Sequence, residues 1–164
     1  MMRQFSWILI IIFFVLGDQW TKNLVVNNLE LYQRVNVTSF FDITLLYNTG
    51  AAFSLFAFDT GSQRIPLILI SIFVSMYLLG LLIKHASSNH PALNLSIAMI
   101  AGGTLGNLVD RIIQGYVVDF LLFYYENWYF PAFNVADSLI TIGMMIFLIA
   151  VSYTHLTLPT TPYV

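Results

Sequence analysis

Long apolar runs alternate with polar junctions along this chain. Four runs approach the roughly 20 largely apolar residues that a bilayer crossing takes: residues 5–26, 66–83, 93–113 and 133–150. The pattern predicts a membrane helix over each. The second run carries no charge, whereas the other three each carry polar residues near one end. Four spans place both termini on one side. The connection over residues 84–91 is short, and those over 27–65 and 114–132, on the opposite side, are longer.

Within the first long connection the period changes. Val35-Asn-Val-Thr38 and Phe41-Asp-Ile-Thr-Leu45 alternate as strands do, Asn48-Thr-Gly50 interrupts with turn chemistry, and 51–58 resumes with aromatic residues. This predicts a small antiparallel sheet on the membrane surface with its apolar residues toward lipid; an irregular amphipathic loop is the alternative. The expected fold class is an all-α membrane bundle of four transmembrane helices with a small antiparallel β-sheet cradle, one domain over residues 1–150. Beyond it, Val151-Ser-Tyr-Thr-His-Leu-Thr-Leu-Pro-Thr160 changes character and resembles an in-frame translation of a sequencing adapter. Residues 151–164 are therefore expected to be a non-native read-through tail, with a short native polar tail as the other reading.

Composition agrees with a membrane protein: 59% of 164 residues are hydrophobic, 9% are charged, and the mean hydropathy is +0.81. Trp7, Trp20 and Trp128 near predicted span ends fit interfacial belts. A net charge of −2 with no basic run argues against nucleic acid as a partner. The absence of cysteine excludes disulfides and thiol chemistry. His85, His90 and His155 are too scattered to suggest a metal site, and neither metal nor cofactor is expected. The first run holds Asp18, Gln19 and Lys22 with no small-residue cleavage pattern after it, which reads as a retained span rather than a signal peptide. Arg3 and Lys84 favour a cytoplasmic N-terminus, while Arg34 and Arg64 sit on the other side.

The polar residues inside the runs carry the chemistry. An acid in hydrocarbon is costly and marks a functional site. Asp18 and Lys22 lie one turn apart in the favourable order for a helix pair, although Lys22 has the length to snorkel to the interface. Gly102 and Gly106 form a small-residue face for close helix approach. Gly103, Asn107 and Arg111 share one stripe, with Asp110 beside it, and Asn134, Asp137 and Thr141 make an interior stripe on the fourth span. Asp119 leaves the third span toward the same depth as Asp137. Two carboxylates brought together in a poorly hydrated site share one proton. Such a pair activates water with its ionised member and protonates a peptide carbonyl with the other. The residues alone leave hydrolysis and an ion relay through Asp18, Asp110, Asp119 and Asp137 equally open, with a non-enzymatic scaffold as a third possibility.

Five segments, in order, resemble the bacterial lipoprotein signal peptidase family, also called signal peptidase II. They are Asp18-Gln-Trp-Thr-Lys22, Asn48-Thr-Gly-Ala-Ala-Phe53, Gly106-Asn-Leu-Val-Asp-Arg111, Val117-Val-Asp-Phe120 and Phe133-Asn-Val-Ala-Asp137. The resemblance implies an aspartic endopeptidase of the bacterial inner membrane. Such an enzyme removes signal peptides from prolipoproteins on the N-terminal side of a diacylglyceryl-modified cysteine. It implies Asp119 and Asp137 as the catalytic dyad, supported by Asp18, Lys22, Asn48, Gly50, Asn107, Asp110, Arg111, Asn134 and Ala136. It also implies a monomer among membrane lipids, with a cytoplasmic N-terminus, a periplasmic cradle over about 27–65 and a site near the periplasmic face.

Overall fold

A computed structural model describes residues 2–50, 63–86 and 90–156. In chain order the elements are α1 (Met2–Asn28), β1 (Arg34–Thr38), β2 (Phe41–Asn48), α2 (Arg64–His85), α3 (Pro91–Ile113), β3 (Val117–Tyr125), β4 (Trp128–Tyr129) and α4 (Val135–Leu156). All four helices are long and apolar enough to cross a membrane. The expected bundle is present; α1 and α2 extend past their sequence-predicted runs at both ends and α3 at its start, whereas α4 begins at Val135, two residues after the predicted start at 133, and runs on past 150. α1 has 27 residues and so runs about 40 Å, longer than the roughly 30 Å hydrocarbon core.

α3 is the hub. Of its most apolar stretch 61% is buried, against 17%, 17% and 11% for α1, α2 and α4, so the other three helices turn broad faces outward. Its small residues permit this. A β-carbon on Gly102 would lie 2.8 Å from Phe14 Cβ of α1, and one on Gly103 would collide with the Ala136 carbonyl of α4. The predicted small-residue face thus meets α1, and the next glycine round the helix meets α4. Ile11, Leu78, Leu82, Ile97, Ala98 and Ala101 form the apolar core at the far end of the bundle.

The sheet is antiparallel with strand order β1-β2-β3-β4. Its first hairpin is the one expected from the alternation at 35–45. The remaining strands come from 114–132, where the sequence reading placed only a connection. β3 pairs with β2 over a register that sets Leu46 opposite Asp119 and Asn48 opposite Val117. The run Val-Val-Asp-Phe-Leu-Leu-Phe-Tyr-Tyr is rich in β-branched and aromatic residues, which was the available signal. Residues 51–58, expected to resume the sheet, lie outside the described residues. Val25 of α1 packs with Leu45, Val118 and Phe120 in a second apolar cluster that seats the sheet on the bundle. At the chain's end, α4 continues beyond Ala150 to Leu156, so the helix does not stop where the sequence changes character.

Candidate active site

The site begins with the way α4 starts. Asn134 precedes the first helical residue, and its Oδ1 accepts the Asp137 N–H at 2.9 Å while the Asn134 N–H donates to Asp137 Oδ2 at 3.3 Å. This reciprocal capping box satisfies two otherwise orphaned groups and locks the Asp137 carboxylate against the helix end. Asp18 Oδ1 caps the preceding amide, accepting from the Ala136 N–H at 2.9 Å. Ala136 therefore belongs to the site through its backbone.

Asp119 arrives on β3 with its side chain 4% exposed. Asn134 Nδ2 donates to its Oδ1 at 2.8 Å, and Asn48 Nδ2, from the end of β2, donates to its Oδ2 at 2.9 Å. Asn134 thus holds both acids, one by its side-chain amide and the other by its backbone. Burial, followed by the negative charge of Asp137, pushes the Asp119 carboxyl up to about 7. Its two asparagine donors, which favour the ionised form, oppose that rise without cancelling it.

α3 and α1 supply the charged floor. Lys22 Nζ meets Asp18 Oδ2 and Asp110 Oδ2, each at 2.8 Å, and donates to Asn107 Oδ1 at 2.9 Å. All three ammonium hydrogens have acceptors, and the side chain is 3% exposed. The snorkelling alternative is excluded. Asn107 Nδ2 in turn donates to Asp137 Oδ1 at 2.8 Å. Gln19, which the sequence reading left without a role, bridges Asp110 Oδ1 at 2.7 Å and the Gly106 carbonyl at 3.2 Å. Gly106 permits this convergence, because a β-carbon there would sit 2.6 Å from Asp18 Oδ2.

Arg111 closes the outer side. Its Nη2 donates to the Gly50 carbonyl at 3.0 Å, and the Gly50 N–H folds back onto Asn48 Oδ1 at 2.9 Å. Arg111 Nε is buried with no hydrogen-bond partner among the described residues. By sequence Arg64 is only a charge on the wrong side for a simple positive-inside count. It donates to the Arg111 and Ile112 carbonyls, both at 3.0 Å, and so caps the C-terminus of α3. Beside it, Gly115 turns at φ 87°, a left-handed conformation that suits glycine.

All eleven residues selected from sequence fall into this one connected network at the sheet end of the bundle. Thr141 departs from its expected interior stripe: it is exposed. It lines, with Phe130, Phe133, Asp137, Ser138 and Ile142, a largely apolar cavity of about 320 Å³. Among the described residues, Asp137 is the one acid on that wall. The four acids of the relay reading, Asp18, Asp110, Asp119 and Asp137, cluster at this end rather than stepping through the bilayer, which disfavours an ion relay.

A model of the family described as signal peptidase (SPase) II matches residues 10–153. A lipoprotein signal peptidase of Neisseria meningitidis serogroup C is 45% identical over 141 residues, covering 85% of this chain and 84% of the relative. Another, of Francisella tularensis subsp. novicida, is 44% identical and covers 92% and 94%. A bacterial membrane enzyme solved by the in meso method superposes with a TM-score of 0.80 at 28% identity, covering 97% of this chain and 94% of that one.

Proposed function

The chain belongs to the signal peptidase II family, and from that premise we propose that it is an intramembrane aspartic endopeptidase acting on prolipoproteins. It removes their signal peptides by cutting N-terminal to a diacylglyceryl-modified cysteine. The observation that carries the catalytic assignment is the double hold of Asn134 on Asp119 and Asp137. Two carboxyl groups fixed by one residue in a largely dry site share a proton between them.

In the reaction, a water molecule lies between the two acids. The ionised carboxylate takes a proton from that water as its oxygen attacks the scissile carbonyl carbon. The protonated partner gives its proton to the carbonyl oxygen, forming a neutral gem-diol intermediate. Collapse of that intermediate breaks the C–N bond. The acid that received the water proton delivers a proton to the departing nitrogen, and a diol proton returns to its partner. Asn48, Asn107 and Asn134 keep donors on the ionised oxygens. The Arg111 Nε donor, without a hydrogen-bond partner among the described residues, suits a substrate carbonyl.

The lipidated substrate enters sideways, its acyl chains remaining in the bilayer beside the apolar cavity at Phe130, Phe133 and Ile142. The protein works as a monomer in the bacterial inner membrane, with the sheet on the periplasmic side. Arg34 and Arg64 do not oppose that orientation strongly, since each has a structural use. Arg64 caps α3, and the Arg34 guanidinium lies 4.6 Å above the Tyr129 ring.

The test is incubation of purified protein with a diacylated prolipoprotein, wild type beside Asp119→Asn and Asp137→Asn. Wild type releases the signal peptide, and each variant loses at least about 10³-fold in kcat while remaining folded. Undiminished cleavage by the Asp137→Asn protein overturns the assignment.

A further inference from the structure

The three asparagines that address the dyad, Asn48, Asn107 and Asn134, must present NH₂ rather than oxygen to the acids, and an amide is nearly symmetric in shape. Something has to decide which way each faces. For Asn134 the decision is local: its Oδ1 is taken by the Asp137 N–H at the helix cap. Asn107 has no such backbone clamp on its side-chain oxygen. That oxygen instead accepts from Lys22 Nζ at 2.9 Å and from Asn134 Nδ2 at 3.2 Å, while Nδ2 reaches Asp137 at 2.8 Å. A flipped Asn107 would set NH₂ against an ammonium and oxygen against a carboxylate. Each contact would turn from attractive to repulsive.

We infer that Lys22 is a positioning residue whose ammonium, acting through Asn107, fixes the direction in which that amide donates to Asp137 of the Asp119–Asp137 pair. This rests on the peptidase reading and extends it. Asp18 and Asp110 hold the ammonium in place from the other side, each at 2.8 Å. The arrangement has one polarity throughout: cation, amide oxygen, amide NH₂, carboxylate. The charged groups gathered here are Asp18 and Lys22 from α1, Asp110 and Arg111 from α3, Asp119 from β3 and Asp137 from α4. The Lys22 charge also pulls the Asp119 carboxyl downward, so its removal leaves Asp119 protonated to higher pH.

The experiment is a double-mutant cycle on detergent-purified enzyme cleaving a diacylated prolipoprotein, with Lys22→Met and Asn107→Ala singly and together. Lys22→Met is expected to lower kcat about 100-fold, to change KM less than about threefold and to move the alkaline limb of the pH–rate profile upward. On the Asn107→Ala background the same substitution is expected to cost less than about threefold, because the intermediary is already gone. Equal losses on both backgrounds, or an unmoved pH profile, overturn the inference and assign Lys22 a merely structural role. Should Lys22→Met fail to fold, Asp18→Asn/Lys22→Met removes the paired charges together and is read in the same cycle. If neither folds, the side-chain amide spectrum of ¹⁵N-asparagine-labelled wild type decides: one Asn107 orientation supports the inference and two overturn it. A wild type that does not cleave this substrate would instead overturn the peptidase reading itself.

Discussion

Replacing Asp119 with asparagine should remove activity and make the protein more stable at alkaline pH. The folded state raises this carboxyl from 3.8 to about 7, so folding favours its protonated form. Stability from this group is therefore complete below pH 3.8, declines as pH rises, and levels off above about 7. Between pH 5 and pH 7 two pH units at about 1.4 kcal/mol each, less the rounding of the curve near 7, cost wild type about 2.5 kcal/mol by pH 8. Measured from full protonation, the cost at pH 8 is about 4 kcal/mol. Asparagine escapes it but brings only one acceptor to the two donors at Asn48 and Asn134, leaving one amide facing another at about 1–3 kcal/mol. The variant should match wild type near pH 5 and exceed it by about 1–3 kcal/mol at pH 8. Unfolding of both proteins in detergent micelles at the two pH values measures this. A variant whose stability falls with pH as steeply as wild type refutes the argument.

Substitutions at four further positions probe the scaffold. Gly106→Ala should destabilise by about 1–3 kcal/mol and lower kcat by pushing Asp18 off the Ala136 amide. Gly17→Ala and Gly80→Ala, where a β-carbon meets nothing within 4 Å, should be neutral or stabilising by up to about 1 kcal/mol; thermal unfolding of the three separates them. Arg64→Ala should cost about 1 kcal/mol and raise KM several-fold by loosening the α3 turn that carries Arg111. Arg64→Lys should restore only part, because one ammonium does not reproduce the planar fork across two carbonyls; steady-state kinetics and unfolding together check it.

The helices were legible because membrane solvation writes a long, unambiguous apolar signal. Polar residues inside that signal stood out for the same reason, so Asp18, Asn107, Asn134 and Asp137 were identifiable one by one. Pairings across distance were less visible. β3 resembles a short apolar run, and its partner β2 lies some 70 residues earlier, so nothing local announced the ladder that carries Asp119. Asn134 read as one member of an interior helical stripe, whereas its use is as the helix cap, outside the first turn. Lys22 could be placed near an interface or in the core from sequence; the two carboxylates and the amide around Nζ decide the matter. Arg64 looked like a topological anomaly until the free carbonyls at the end of α3 supplied its reason.

The cap that Asp18 provides for Ala136 joins residues 118 positions apart in the chain. A polypeptide still leaving the ribosome owns one half of this contact long before it owns the other. The proposed dyad, whose Asp137 sits on α4 beside this cap, is consequently unable to assemble until the last helix has been released into the bilayer. Completion of the chain thereby becomes a condition for the site to form at all, since α1 alone holds the acid and α4 alone the amide it caps.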